Sequence, residues 1–428
     1  MNNISISEHI KTRWRDYAEY VIYKRGIPSF YDGLTNVQRV ILDNSPAKTT
    51  KSMSVVGSSI KSGYAHGPKS LESALNGMAK NYDCAQPLLQ GDGFFGTPIT
   101  DDAAAARYTS VSIHPRVKEH IDIHSDLNEK NIDGMPKSFH VDIPIGCFQN
   151  NTGIAVGFKS TILPRKESDI QAYLNGEIDS ITPYFDNFGG TVKSADQSGS
   201  SWYILGNYTT NKKGRKHQII IDEIPIVDKY KTFIKKINKF LEKKDITSVK
   251  IKNNSQSRVH ITLETSSKKD YEVLRKRVKS LLKSKKSENV GFIRDGKLLE
   301  YNKFEDYLDD FKVWLQQLKL KQYTYDLKIL EQDLDFVDWK IKFIKFMQSG
   351  KKSLEQINDF LSEATDKNKI KRIPGYKIND DELKSSKSEY SELETEIKEI
   401  KTKIEKQSKH VDDILKSHVS KANQIETN

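Results

Sequence analysis

An arginine and a tyrosine, Arg107 and Tyr108, stand together after four alanines, and side chains of these types can carry out phosphate chemistry. A tyrosine phenol can attack phosphorus to give a phosphotyrosyl ester. A planar guanidinium beside it can bind non-bridging oxygens and stabilise the charge that grows in the transition state. The alternative is a packed tyrosine capped by a surface arginine, which an isolated pair favours because tyrosine rarely serves as a nucleophile.

Small residues surround this pair. A glycine-rich run, residues 91–96, precedes it, and alanines occupy positions 103–106. Because alanine favours helix and lacks bulk, the stretch predicts a helix or helix end that approaches a backbone or a ligand closely.

Composition restricts the class of protein. A chain of 428 residues is too long for one core and predicts two to four domains. No apolar run approaches the ~20 residues of a membrane span, the first residues lack secretory-signal features, and two cysteines are too few for a disulfide framework. We therefore expect a cytoplasmic protein with no membrane partner. A net charge of +11 favours an anionic partner, most often nucleic acid.

Three further segments have residues suited to nucleic acid. In 25–42, a helix is predicted to open near Thr35, and Arg25, Gln38 and Arg39 could then face a phosphate track. Two helices around the turn at 63–68 form a helix-turn-helix-like pattern with His66 in the turn. A single histidine near a turn is more often structural. Ile154, between Gly153 and Ala155, is either a core residue or a wedge inserted between base pairs.

The second half of the chain changes in pattern. Residues 164–297 alternate strands with lysine-rich helices, and strands 202–205 and 217–221 are candidates to pair across the loop 211–215. Lysine runs here are either solvated helix faces or contacts to DNA. Apolar residues at helical spacing over 304–347 and 386–417, around an insert at 353–363, predict an antiparallel coiled coil with a helical knob. A structural rod is the alternative for that pattern alone.

Five motifs in this order resemble the breakage-reunion region of type IIA DNA topoisomerases, which include gyrase and topoisomerase IV A subunits. The similarity is greatest to the medium-subunit branch of T-even-type phages. The motifs are residues 25–42, 63–67, 91–96, 103–109 and 153–157. Any one of them is weak evidence, whereas five collinear motifs are strong evidence.

The resemblance implies an α+β multidomain fold. Its parts would be an N-terminal helix, a winged-helix (helix-turn-helix-like) DNA-cleavage domain, an α+β tower domain, a long antiparallel coiled coil with a helical exit-gate knob that dimerises, and a flexible tail. The corresponding boundaries are 1–24, 25–163, 164–297, 298–418 and 419–428.

The resemblance also implies roles for named residues. Tyr108 would attack one DNA strand to form a 5′-phosphotyrosyl link, and Arg107 would stabilise the transition state. His66 and Arg25 would contact the scissile phosphate or the backbone near it. The remaining predicted DNA-binding residues are Arg39, Gln38, Ile154 as the intercalating wedge, Lys61 and Lys159.

The sequence contains no P-loop and none of the family's magnesium motifs. We therefore expect Mg²⁺ and ATP to be bound by a partner subunit, with two copies of this chain supplying two tyrosines for a staggered double-strand break in an ATP-dependent enzyme. One alternative is a gyrase or topoisomerase IV A-type chain truncated before its wrapping domain. Another is a non-catalytic DNA-binding scaffold, motivated by Thr35 and Ala65 at positions where the family has lysine and histidine.

Overall fold

The computed structural model describes residues 12–17, 21, 26–64, 67–131, 134–213, 216–242, 246–252, 259–265, 268–362 and 378–426. The chain divides into two compact units, Met1–Phe311 and Lys312–Asn428. Of the predicted N-terminal helix over 1–24, residues 12–17 and Val21 are described, and they are helical. Within the described residues, no helix combines the length and the apolar composition needed to cross a bilayer.

After the N-terminal helical residues, the α-helices of the described part of the chain have these bounds: α1 Asn36–Asp43, α2 Ser52–Lys61, α3 Pro68–Ala79, α4 Pro115–Asp122, α5 Glu167–Asn175, α6 Tyr230–Glu242, α7 Lys268–Leu281, α8 Phe304–Gln348, α9 Leu354–Ser362 and α10 Asp380–Glu426. Its strands are β1 Thr50–Lys51, β2 Leu89–Asp92, β3 Ser110–Ile113, β4 Asn151–Ile154, β5 Lys159–Ile162, β6 Thr191–Ser194, β7 Ser201–Leu205, β8 Asn207–Lys213, β9 Lys216–Glu223, β10 Ser248–Ile251, β11 Ile261–Thr265, β12 Lys283–Ser287, β13 Val290–Arg294 and β14 Lys297–Tyr301.

A small antiparallel sheet and three helices make up the first part of unit Met1–Phe311. The sheet has the order β1-β3-β2, so β3 lies in its centre. The helices predicted around the turn at 63–68 are present as α2 and α3, with Pro68 at the first turn of α3. Proline suits that position because its missing N–H would have no partner within the helix. Leu71 and Leu75, one helical turn apart, are buried on the inner face of α3.

The lysine-rich region forms a four-stranded antiparallel sheet covered by two helices. Its strand order is β10-β11-β9-β8. Apolar residues of β9 and β11 pack with Phe233 and Ile237 of α6 and Leu274 of α7. A period of three to four residues in the helices and two in the strands brings these side chains to one core.

The predicted pairing of strands 202–205 and 217–221 is wrong. β7 pairs with β6 and β12, whereas β9 pairs with β8 and β11. The intervening strand β8 has the polar sequence NYTTNKK and lies at the edge of its sheet. An edge strand exposed to water needs no apolar alternation, so this strand gave no recognisable signal.

A buried ion pair lies directly after the predicted boundary at 163/164, with both of its partners inside the predicted segment 164–297. The Arg165 side chain has no exposed surface, and its Nη2 lies 2.7 Å from Glu288 Oε2. Glu288 also accepts hydrogen bonds of 2.7 Å from the Trp202 indole and from the Leu163 backbone N–H. These bonds compensate for the desolvation of both charges. The bond from Leu163 is the one among them that crosses the predicted boundary.

An aromatic cluster forms part of the core of unit Met1–Phe311. Tyr307 of α8 stacks on Phe292 of β13 with ring centroids 3.9 Å apart and packs edge-on against Phe30 at 5.5 Å. Its hydroxyl donates to the Phe30 carbonyl at 2.9 Å. The tyrosine is fully buried with its polar group satisfied, so it anchors the segment that precedes α1.

In unit Lys312–Asn428, α8 and α10 run antiparallel. Lys340 pairs with Glu382 at 2.7 Å, and Glu331 pairs with Lys401 at 3.2 Å, so positions later in α8 meet positions earlier in α10. This geometry fits the predicted coiled coil. The helix α10 continues to Glu426, so most of the segment 419–428, predicted as a flexible tail, is helical.

The predicted insert is α9, and an aromatic cluster packs against it. Trp339 and Phe343 stack with centroids 5.2 Å apart, and Phe360 of α9 lies 5.7 Å from Phe343. These aromatic contacts make a small core at one end of the helix pair.

Candidate active site and DNA interface

Tyr108 lies in a tight turn directly before β3. Its backbone N–H donates to the Ala105 carbonyl at 2.8 Å, and the Ala104 N–H donates to the Phe94 carbonyl at 2.9 Å. Residues 103–105 have no regular secondary structure and 106–108 form the turn, so the predicted helix over the alanines is wrong. Local propensity was overridden by the chain reversal between β2 and β3.

The residue after Tyr108 fixes the turn to the core. Thr109 is fully buried, its hydroxyl donates to Ser52 Oγ at 2.8 Å, and its carbonyl accepts the Ser52 N–H at 3.1 Å. Ala106, on the other side, is also buried. Tyr108 itself is 67% exposed, so a held backbone presents a free phenol to the outside.

Gly93 permits a second backbone to approach this turn. Its φ is +113°, which favours glycine, and a Cβ there would lie 3.3 Å from Thr109 Cγ2 and 3.5 Å from the Tyr108 carbonyl oxygen. The glycine-rich run therefore has a packing role beside the candidate nucleophile.

Arg107 is exposed and stays close to the tyrosine. Its guanidinium carbon lies 4.8 Å from the centroid of the Tyr108 ring, within the range of a cation–π contact. The positive group is therefore beside the phenol, where a phosphate attacked by the phenol would also meet the guanidinium.

Ile154 ends strand β4 of a two-stranded hairpin with β5. The turn is closed by an Ala155 N–H to Phe158 carbonyl bond of 2.9 Å, and Ile154 is 70% exposed. A Cβ on Gly26 would lie 2.6 Å from the Ile154 carbonyl oxygen, so glycine is needed where these backbones cross. Of the two alternatives for Ile154, a core residue and a wedge, this exposure favours the wedge.

A cavity of about 750 Å³ lies beside this hairpin. Its walls come from the segment before α1, from α1, from the end of α3 and from β4. They include Gln38, Lys80, Asn151 and Ile154. The cavity joins the hairpin tip to the helices that the sequence predicts to contact DNA.

Gln38 and Arg39 lie in the interior. Gln38 accepts the Thr35 N–H at 2.9 Å and donates to Asn151 at 3.1 Å, so it belongs to a helix cap. The Arg39 guanidinium makes two bonds to Asp32, at 2.7 and 3.0 Å, and the residue is 4% exposed. This burial does not favour the predicted direct contact of either side chain with DNA.

Lys61 and Lys159 are exposed, at the end of α2 and on β5 respectively, as a phosphate contact requires. Arg25 and His66 lie outside the described residues.

Carboxylates near the tyrosine do not fit a magnesium site. Among the described residues, no group of three or more His, Cys, Asp or Glu side chains could hold a metal ion. Asp101 instead binds Lys80 at 2.6 Å and the Tyr82 hydroxyl at 3.1 Å, and the Lys80 bond chiefly lowers the pKa of Asp101.

A second carboxylate close by is perturbed in the opposite direction. Burial raises the pKa of Asp83 to about 6, against the lowering effect of a 2.8 Å hydrogen bond from Asn150. Sequence reasoning assigned no role to Lys80, Tyr82, Asp83 or Asp101. The only signal was that Asp101 begins the stretch that leads to Tyr108.

These features agree with the comparisons to known proteins. The sequence model of the DNA gyrase/topoisomerase IV A subunit matches residues 25–420, and the chain belongs to this family. It is 26% identical over 378 residues to the DNA topoisomerase medium subunit of Enterobacteria phage T4, covering 82% of each chain. It is 28% identical over 279 residues to the DNA gyrase A subunit of Buchnera aphidicola, covering 58% of this chain and 34% of that protein.

The fold is similar to the crystal structure of the Plasmodium falciparum topoisomerase II DNA-binding, cleavage and re-ligation domain. The TM-score is 0.76 at 20% sequence identity, over 98% of this chain and 66% of that one. The family predicted from the five motifs and the α+β architecture are thus confirmed.

Proposed function

We propose that this chain is the DNA breakage-reunion subunit of an ATP-dependent type II DNA topoisomerase, with Tyr108 as its nucleophile. The observation that carries the proposal is the placement of Tyr108. Its phenol is 67% exposed beside the Arg107 guanidinium, while the backbone on both sides is held by Ala106 and Thr109. A structural tyrosine capped by arginine would bury its ring, and this ring is exposed.

The reaction follows from the two side chains. The Tyr108 phenolic oxygen bonds to the phosphorus of a DNA strand, the bond from phosphorus to the 3′ oxygen breaks, and the phenol proton is lost as the 3′ hydroxyl gains one. The products are a 5′-phosphotyrosyl link and a free 3′ end. Arg107 stabilises the negative charge on the non-bridging oxygens. Attack by the 3′ hydroxyl on the same phosphorus reverses the step and rejoins the strand.

DNA would lie across the β4–β5 hairpin and the helices α2 and α3. We assign the exposed Ile154 tip to insertion between base pairs, and Lys61 and Lys159 to phosphate contacts. We assign Gln38 and Arg39 to holding α1 in place, because both are buried on protein partners. Arg25 and His66 remain predicted contacts to the scissile phosphate.

The finer architecture implied by the family is part of the same proposal. The helices α2 and α3 with the sheet β1-β3-β2 would be the winged-helix part, and the four-stranded sheet the tower. The helix pair α8 and α10 with its aromatic end would be the dimerising exit gate. Two copies would then supply two tyrosines for a double-strand break.

Mg²⁺ and ATP are proposed to be held by a partner subunit, because the sequence contains no P-loop and none of the family's magnesium motifs. Bound there, Mg²⁺ would supply charge stabilisation to the phosphoryl transfer. The complex would act on double-stranded DNA in the cytoplasm, a host-cell cytoplasm if the chain is a phage protein.

The proposal is tested by trapping the covalent intermediate. The chain is mixed with a partner carrying the ATPase and metal-binding domains, Mg²⁺ and plasmid DNA, and the reaction is then denatured. We expect DNA covalently attached to the wild-type chain and none attached to Tyr108→Phe, which removes only the attacking oxygen.

Two outcomes would contradict the assignment. Adducts that persist in Tyr108→Phe would show that another residue is the nucleophile. A wild-type chain that binds and bends duplex DNA without forming adducts would instead support the non-catalytic scaffold.

A further inference from the structure

The loop that leads to Tyr108 is attached to the rest of the protein through residues that take no part in the proposed cleavage reaction. We call residues 93–107 the nucleophile loop. It leaves β2 after Asp92 and reaches Tyr108 directly before β3. Because the Tyr108 ring is 67% exposed, core packing does not place the phenol. Its position therefore depends on how the loop backbone is held.

The first attachment is an ion pair with a lysine, accompanied by a hydrogen bond from a tyrosine. Asp101 Oδ1 lies 2.6 Å from Lys80 Nζ, at the end of α3, and accepts the Tyr82 hydroxyl at 3.1 Å. The ammonium also lies 5.2 Å from the centroid of the Tyr82 ring. One carboxylate oxygen thus joins the loop to two side chains of the segment that follows α3.

The loop backbone rests closely on the same tyrosine. Gly96 has φ +93°, and a Cβ there would lie 2.8 Å from the Tyr82 hydroxyl and 3.1 Å from the Asp101 carbonyl oxygen. Tyr82 is buried, so it is a firm surface for the loop. The left-handed glycine allows the chain to turn back so that Asp101 reaches Lys80.

The nucleophile loop has a second attachment at Ile99, two residues before Asp101 in the chain. Ile99 packs against the core of the four-stranded sheet, to which Tyr230 also contributes. The loop is therefore held from one side by the α3 segment and from the other by the sheet region. Closer to Tyr108, the Ala104 N–H bond to Phe94 closes the loop on itself.

We propose that Asp101 is a positioning residue for Tyr108, holding the nucleophile loop through Lys80 and Tyr82 so that the phenol meets the phosphate in line. This inference rests on the proposed function of Tyr108. The carboxylate does not touch the reacting atoms and acts only through the loop. Small displacements of a reacting group reduce rates strongly because attack requires near-contact and alignment, so the loss of one anchor should appear in the cleavage step.

The test compares two neighbouring aspartates. Asp101→Ala removes the anchor, and Asp102→Ala removes the same charge from an exposed neighbour that makes no hydrogen bond or ion pair within the described part of the chain. Single-turnover adduct formation is measured at saturating DNA with Mg²⁺ and the partner subunit, and the Kd for DNA is measured separately. We expect Asp101→Ala to form adducts about tenfold more slowly with an unchanged Kd, and Asp102→Ala to match the wild type.

A reversed ion pair separates positioning from a general structural defect. Lys80→Asp and Asp101→Lys each place like charges together, whereas the double variant restores an attractive pair between the same two positions. We expect each single variant to form adducts more slowly than the wild type. On a logarithmic scale of this rate, the double variant should recover at least half of the loss.

Equal rates for Asp101→Ala and Asp102→Ala, or a double variant no faster than the singles, would overturn the inference while wild-type adducts still form. A wild type without Tyr108-dependent adducts would overturn the proposed function and this inference with it. The wild-type reaction distinguishes the two failures.

Discussion

Replacing Arg39 by methionine would leave the Asp32 carboxylate buried without its cation. Asp32 has no exposed surface and receives two bonds from Arg39, at 2.7 and 3.0 Å. It also accepts the backbone N–H groups of Leu34 and Phe139, each at 2.9 Å. Methionine fills much of the arginine volume, so the change removes mainly the charge and its hydrogen bonds.

The expected loss of stability follows from this geometry. Removing one partner of a buried pair costs about 3–5 kcal/mol, because the other charge stays desolvated. The two backbone donors still satisfy part of the Asp32 carboxylate, so we expect about 3 kcal/mol. The loss of stability should be greatest around Asp32, which accepts hydrogen bonds from Leu34 before α1 and from Phe139.

Two measurements follow the change. Urea denaturation gives the free energy of unfolding, and hydrogen exchange reports the protection of the Leu34 and Phe139 amides that donate to Asp32. The control is Lys61→Met, which removes one exposed positive charge. It should change stability by less than about 0.5 kcal/mol and should weaken DNA binding with a smaller salt dependence.

The opposite pattern would refute the argument. If Arg39→Met kept wild-type stability and amide protection but reduced DNA affinity and its salt dependence as Lys61→Met does, Arg39 would be a phosphate ligand. Arg39 would then leave its ion pair with Asp32 when the protein binds DNA.

Two other predictions concern Asp83 and Ile154. Because burial raises the pKa of Asp83 to about 6 from 3.8, its ionisation opposes folding, so its contribution to stability is present at low pH and lost as pH rises through about 6. Asp83→Asn should be up to about 3 kcal/mol more stable at pH 8 and close to the wild type near pH 4, compared by denaturation midpoints. Parallel pH profiles would contradict this. Ile154→Ala should leave stability within about 0.5 kcal/mol, because the side chain is 70% exposed, and should reduce DNA bending measured by fluorescence energy transfer. Equal bending would remove Ile154 as the wedge.

Several features were determined by local sequence. The glycines at 93 and 96 have left-handed backbone conformations that favour this residue, and the apolar spacing of 304–347 corresponds to the helix Phe304–Gln348. Such features depend on neighbours within a few residues, so residue type and period are enough to predict them.

Only the tertiary structure decided which charges are free. Arg39 is buried because Asp32 also receives the amide of Phe139, which is 107 residues away from Asp32. Likewise, Asp101 holds its loop through Lys80, 21 residues earlier. A charged residue has the same sequence signature whether it binds solvent, DNA or a buried partner, and strand order likewise depends on partners distant in the chain. The sequence therefore determined the family and the candidate nucleophile, and the packing determined which basic residues are available to DNA.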